Sequence, residues 1–221
     1  MNQTLKRVTT LTTGLLLFAA VSLKATPVIV TELGVGPNEI VQIDSSTLGS
    51  GLSVYACVVN LQVDSLVTRG FCIDPYHWSV GGPQVYEEVS LADAPKPPGP
   101  MGAVAAKEIE QLWAHYYTNF PNISNETAAG LQIAIWEIVN GAIGSTTFHL
   151  DSSNDYGAAT MLAWVTNSAN ANAPRANLIA VSSVDRYHGQ DYVIPGVPDG
   201  GSTAALLGAA LMGLYALRRR R

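Results

Sequence analysis

The apolar residues of the first half fall in short β-branched runs, each bounded by Gly, Asn, Pro or Ser. Val28-Ile29-Val30, Val41-Gln42-Ile43, Val54 to Val63 and Val67 to Ile73 read as strands, and Val85 to Val89 adds another. Asp64-Ser65 separates the third from the fourth as a two-residue turn, so that pair predicts a β-hairpin. Ala94-Pro95-Lys96-Pro97-Pro98-Gly99-Pro100 then interrupts the pattern as an extended surface loop, because its prolines fit neither a helix nor a central strand. Beyond it the period becomes helical. Ala103 to Tyr117 sets Ile109, Leu112, Trp113 and Tyr116 on one face. Asn125 to Asn140 forms a second helix, capped by Ser124 or Asn125 and followed by Gly141. Tyr156 to Ser168 forms a third, capped by Asn154 or Asp155. Leu178 to Ser183 and Asp191 to Ile194 return to strand. The order predicts one α+β body, a β-sandwich or barrel-like sheet with an inserted set of about three helices, in which late strands rejoin an early sheet.

Both ends depart from this pattern. Residues 1–26 read as a signal peptide: Lys6 and Arg7 precede the apolar run Gly14 to Val21, and Ser22 to Ala25 offers a cleavage site. At the other end, Thr203 to Leu217 carries no charge and meets Arg218, Arg219, Arg220 and Arg221. That run falls short of the ~20 residues a spanning helix wants, and its arginines would stay on the cytoplasmic side. Preceded by Val197-Pro198-Asp199-Gly200-Gly201, this C-terminus resembles a PEP-CTERM-type sorting signal in its Val-Pro-Asp-Ser-Gly variant, with Gly200 in place of the serine. The chain thus divides into 1–26, a body at 27–195 and a sorting region at 196–221. The resemblance implies export by the general secretion machinery in a Gram-negative bacterium. It further implies transient attachment to the membrane through the C-terminal apolar helix, and processing by an exosortase beyond about Pro198. The product would be released to the cell surface or an exopolysaccharide matrix.

Charge sharpens the division. The whole chain has 12 Lys+Arg and 17 Asp+Glu. Residues 27–195 hold five of those bases and 16 of the acids, so the body carries a net charge of −11. Nothing resembles a basic stripe, which argues against a nucleic-acid partner. An acidic body suits amine-rich or neutral surfaces, or polysaccharide bridged by cations.

Chemistry concentrates in two places. The second helix is apolar nearly all round from Ala128 to Val139, yet holds Gln132 at its middle. A buried carboxamide needs hydrogen-bond partners, and a neighbouring strand's backbone, covered by Trp136, would serve as one ordinary solution. The second place is Gly70-Phe71-Cys72-Ile73-Asp74-Pro75. The chain has two cysteines, and in an exported body the default is a disulfide. With Asp64-Ser65 as the turn, Cys57 faces Cys72 in register, although directly opposed cysteines are often strained.

Phe71-Cys72 on a strand, followed by Leu131-Gln132-Ile133-Ala134-Ile135-Trp136 on a helix, resembles the thioester domains of bacterial surface adhesins. The resemblance covers about residues 50–195 at pattern level. It implies that the Cys72 thiol attacks the Gln132 carboxamide, that ammonia leaves, and that an internal thioester joins strand to helix. Such a bond must be kept from water until an amine opens it, and Phe71, Trp136, Tyr76 and Trp78 are the aromatics available as shields. The protein would then act once, as a covalent tether to an amine-bearing surface or matrix polymer, with no cofactor and no turnover. Two alternatives stand beside it: a non-covalent structural matrix protein with a Cys57–Cys72 disulfide, and free thiols. A thiol hydrolase built on Cys72 and His77 is disfavoured, since catalytic Cys–His partners normally lie far apart in sequence.

Other groupings carry less. His77, His115, His149 and His188 match no zinc spacing. Asp151, Ser153 and Asp155 open like a calcium loop, but the glycine comes one position late and the closing glutamate is absent, so a turn into a helix cap is the better reading. Glu87-Glu88 and Glu108/Glu110 read as solvated faces.

Overall fold

The structure, a computed structural model, describes residues 26–45, 47–96, 99–117, 122–140, 148–150, 153–185 and 189–196. Signal peptide, sorting motif, C-terminal apolar helix and arginine cluster all lie outside the described residues, apart from Gly196 and the last residue of the first segment. Among the described residues, no helix is long and apolar enough to cross a membrane.

The fold is α+β. In chain order its elements are β1 (Thr26–Ser45), β2 (Gly49–Val63), β3 (Leu66–Cys72), β4 (Pro83–Ser90), β5 (Pro95–Lys96), β6 (Gly99–Pro100), α1 (Ala103–Tyr116), α2 (Asn125–Asn140), β7 (Phe148–Leu150), α3 (Ala158–Thr166), β8 (Leu178–Ser183) and β9 (Tyr192–Pro195). The large sheet runs β2-β3-β9-β8-β4-β1-β7, and β1 also pairs with β2. The ring β1-β2-β3-β9-β8-β4 is therefore closed, entirely through antiparallel ladders. Closure leaves those strands few free edges.

One long strand makes closure possible. Val28-Ile29-Val30 and Val41-Gln42-Ile43 are not separate strands but the two ends of β1. Its first residues pair with β4 and the remainder with β2, with register shifts between Glu32 and Gly34 and between Val35 and Asn38. Gly34, at φ 115°, takes the backbone conformation the first shift needs. The proline loop contributes a short ladder, Pro95 opposite Pro100 and Lys96 opposite Gly99.

The helices come between β4 and the returning β8 and β9. Ser124 caps α2 by accepting from the Thr127 N–H at 3.1 Å. Asp155 prepares α3 by accepting from the N–H groups of Gly157 and Ala159. Residues Ala128 to Glu137 of α2 are all buried, because this helix packs on β1, β2 and β3 and is flanked by α1 and α3. Gly130 lets α2 lie close against the turn before α3: a Cβ there would collide with the Tyr156 carbonyl. The apolar-all-round pattern of the sequence thus has a direct cause.

Candidate functional site

Cys72 is the last residue of β3, and Gln132 lies in the middle of α2 with no exposed surface. The fold brings them together. The Gln132 Oε1 accepts from the Cys72 backbone N–H at 2.9 Å, and its Nε2 donates to the Cys72 carbonyl at 2.7 Å. The neighbouring strand's backbone that satisfies the buried carboxamide is thus that of Cys72 itself.

Register explains why those two backbone groups are free to take a side chain. The β2–β3 ladder runs from Val63–Leu66 to Val59–Gly70, and its next hydrogen-bonded rung would be Cys57–Cys72. It is not made. Cys57 pairs with Asn38 of β1, and the Gln132 carboxamide takes the rung. On its other edge β3 pairs with β9, Cys72 opposite Tyr192, and Ile73 N–H donates to the Asp191 carbonyl at 2.9 Å. Both cysteines are free thiols and both are buried.

The Cys72 thiol has a tight local environment. It donates to the Asp74 carbonyl at 3.2 Å and accepts from the Asp74 N–H at 3.3 Å. Burial pushes its pKa up strongly, the Asp74 carboxylate adds to this, and hydrogen bonding to the Trp136 side chain opposes it. Cys57 is likewise pushed up to about 12, by burial and then by Glu32. Both shifts favour the thiol over the thiolate.

The aromatics divide. Phe71 is fully buried on the face of β3 opposite to Cys72, its ring 5.4 Å from Trp113 and 5.5 Å from Tyr117 in edge-on contact. Trp136 is buried on α2, one turn beyond Gln132. Tyr76 is half-buried, while Trp78 is 53% exposed and its ring lies largely in solvent. Of the four, Trp136 is the one that meets the Cys72 thiol.

Beside the pair lies a cleft of about 560 Å³. Ile73 and Asp74, directly after Cys72, line one side, and Val139 and Asn140, two turns beyond Gln132, line another. Tyr76, His77, Asp93, Pro95, Lys96, Gly99, Pro100, Ser183, Gly189 and Asp191 complete it. His77 Nδ1 and Asp74 Oδ2 are 2.6 Å apart. Asp191 is 6% exposed and accepts from the Ser183 N–H at 2.7 Å. Burial lifts its pKa to about 7 against the pull of that bond, and Asp74 lifts it further.

Sequence reasoning left several of these residues unassigned. The three-residue spacing of Asp74 and His77 was a usable signal for their pairing. Nothing local pointed to Asp191 or Asn140, which arrive from distant parts of the chain. The remaining histidines have other surroundings: His115 stacks on Trp164 at 4.0 Å, and His149 sits in β7 opposite Asp44. His188 and Asp151 lie outside the described residues. Among the described residues no group of three His, Cys, Asp or Glu could hold a metal ion.

Residues 196–221 match the family model described as the VPDSG-CTERM motif. This sorting motif supports an exported cell-surface protein. Comparison with curated protein sequences gave no match. Two solved structures are similar. The N-terminal thioester domain of a surface protein from Clostridium perfringens is 14% identical, with 62% of this chain and 87% of that chain covered at a TM-score of 0.41. The thioester domain of the Staphylococcus aureus TIE protein is 12% identical, with 79% of this chain and 81% of that chain covered at a TM-score of 0.44.

Proposed function

We propose that Cys72 and Gln132 form an internal thioester, and that the exported body uses it once as a covalent tether to an amine-bearing surface or matrix polymer. The observation that carries this reading is the seat of the Gln132 carboxamide on the backbone of Cys72, in a dry part of the core.

The chemistry follows from that seat. The Cys72 sulfur attacks the Gln132 carboxamide carbon, and negative charge develops on Oε1. The Cys72 N–H, already donating to that oxygen, stabilises the developing charge without rearrangement. The C–N bond then breaks, Nε2 takes up the thiol proton, and ammonia leaves. The thioester lacks most of the resonance of an amide, so an amine can open it to a stable amide while the sulfur departs and is reprotonated. Burial of Cys72 and Gln132, with Trp136 beside the thiol, keeps water away in the interval. Each protein molecule reacts once, and no catalyst is regenerated.

The ends of the chain support the same setting. The motif at 196–221 is of the kind an exosortase would process, leaving a mature protein without the apolar helix and arginines of its membrane-attached precursor, in a Gram-negative cell.

Intact mass measurement without reductant tests the reading. The expected result is a mass lower by one ammonia, with methylamine adding its whole mass to that species and Cys72→Ala abolishing both. Loss of two hydrogens would assign a Cys57–Cys72 disulfide and the non-covalent matrix role. A mass with neither loss would remove both covalent readings.

A further inference from the structure

We propose that the cleft beside Cys72 receives the attacking primary amine, and that His77, oriented by Asp74, takes the proton that the amine nitrogen loses. This rests on the thioester reading and adds to it a route and a proton acceptor.

Connectivity argues for the cleft. It is walled by the residues that directly follow Cys72 and by the end of the helix that carries Gln132. A single residue links sulfur to cleft: Asp74 holds the Cys72 thiol through its backbone and His77 through its carboxylate. Its chemistry fits an alkylammonium group, which offers donors and no acceptor. The Asp74, Asp93 and Asp191 carboxylates line it, and so does Asn140, whose buried Oδ1 has no partner among the described residues. Asn140 Nδ2 is already committed to the Trp136 carbonyl at 2.7 Å.

An ammonium ion is not a nucleophile, so the site needs a proton acceptor. Imidazole is the side chain suited to this near neutral pH. A carboxylate at 2.6 Å from Nδ1 fixes the ring's orientation. Nitrogen attacks the Gln132 acyl carbon, the carbon–sulfur bond breaks, and the amide forms. Of the two protons that an alkylammonium nitrogen loses, one goes to His77 and the other reprotonates the Cys72 sulfur as a thiol. The groups facing His77 are Asp74 on its own loop, Asp93 and Lys96 from the segment after β4, and Asp191 ahead of β9. Tyr86 on β4 also feels the Asp191 and Asp74 carboxylates.

The test is the rate at which methylamine opens the thioester in the full chain, followed by intact mass and divided by the concentration of free amine. In the unsubstituted protein this rate should rise with pH through a single-proton inflection. His77→Gln should abolish the inflection and slow the reaction about 10²-fold. Equal rates with a shared pH profile would overturn the assignment while leaving the thioester intact. If His77→Gln fails to form the thioester, the unsubstituted profile decides: a flat line from pH 5 to 9 overturns the role of His77. Absence of ammonia loss in the unsubstituted chain would overturn the thioester reading itself, and this inference with it.

Discussion

The side-chain amide of Gln132 occupies the place of a strand partner for Cys72, taking both its backbone N–H and its carbonyl. Helix α2 is thereby keyed to the end of β3 by two buried hydrogen bonds that do not involve the thiol. The same contact has a structural and a chemical consequence, and the two can be measured separately.

Removing the thiol leaves the bonds in place, so Cys72→Ala provides a background free of any covalent link. In that background Gln132→Ala strands a buried N–H and a buried carbonyl and opens a void. The double variant should be less stable than Cys72→Ala by about 2–4 kcal/mol in urea denaturation. A difference below about 1 kcal/mol would show that Gln132 does not satisfy the Cys72 backbone.

Cys57 gives a second check. Its rung with Cys72 is taken by the Gln132 carboxamide, which leaves it outside the proposed bond. Cys57→Ser should therefore retain the loss of one ammonia. Because its pKa is pushed up to about 12, the native Cys57 thiol should also alkylate with iodoacetamide at pH 8 at least about tenfold more slowly than in urea. Native labelling as fast as unfolded labelling would contradict the burial.

The hairpin, the three helices and the returning strands were readable because each rests on local pattern and capping. The β2–β3 turn predicted the register down to Val59–Gly70 correctly. What local pattern could not reveal was the last rung, because the competitor for Cys72 comes from a helix 60 residues later. Closure of the ring was hidden for a related reason. The stretch Thr31 to Ile40 between the two strand-like ends of β1 lacks a β-branched run, and tertiary pairing with β2 and β4 extends it. Phe148 to Leu150 was missed because three residues carry no period. The Cys72–Gln132 pair was legible as two motifs in sequence, whereas the cleft, assembled from five separate segments, was not.

Gly130 controls how closely α2 meets the Tyr156–Gly157 turn before α3. Gly130→Ala gains helix propensity, about 1 kcal/mol in an exposed helix. Here the new methyl must displace the backbone carbonyl of Tyr156, with Met161 also in contact. The clash should dominate and destabilise the fold by about 1–3 kcal/mol, lowering the midpoint of thermal unfolding. An unchanged or raised midpoint would mean that the helix and the turn are not packed as described.

Glu137, one residue past Trp136, is 4% exposed, and its Oε1 has no hydrogen-bond partner among the described residues. Burial lifts its pKa from 4.5 to about 7, and Asp155 adds to the lift. The folded state therefore holds a proton that the unfolded state releases above its own lower pKa. Stability contributed by the neutral carboxyl is present at low pH and falls as pH rises from about 4.5 to about 7, by on the order of 1–3 kcal/mol. Glu137→Gln replaces the acid with a neutral group of the same shape, so it should stabilise the protein more at pH 8 than at pH 5. Urea midpoints at those two pH values measure the difference. Asp191, lifted to about 7 as well, should leave part of the pH dependence in place in that variant. Equal gains at both pH values would show that Glu137 is ionised in the fold throughout, and that its burial is relieved by an ion or water.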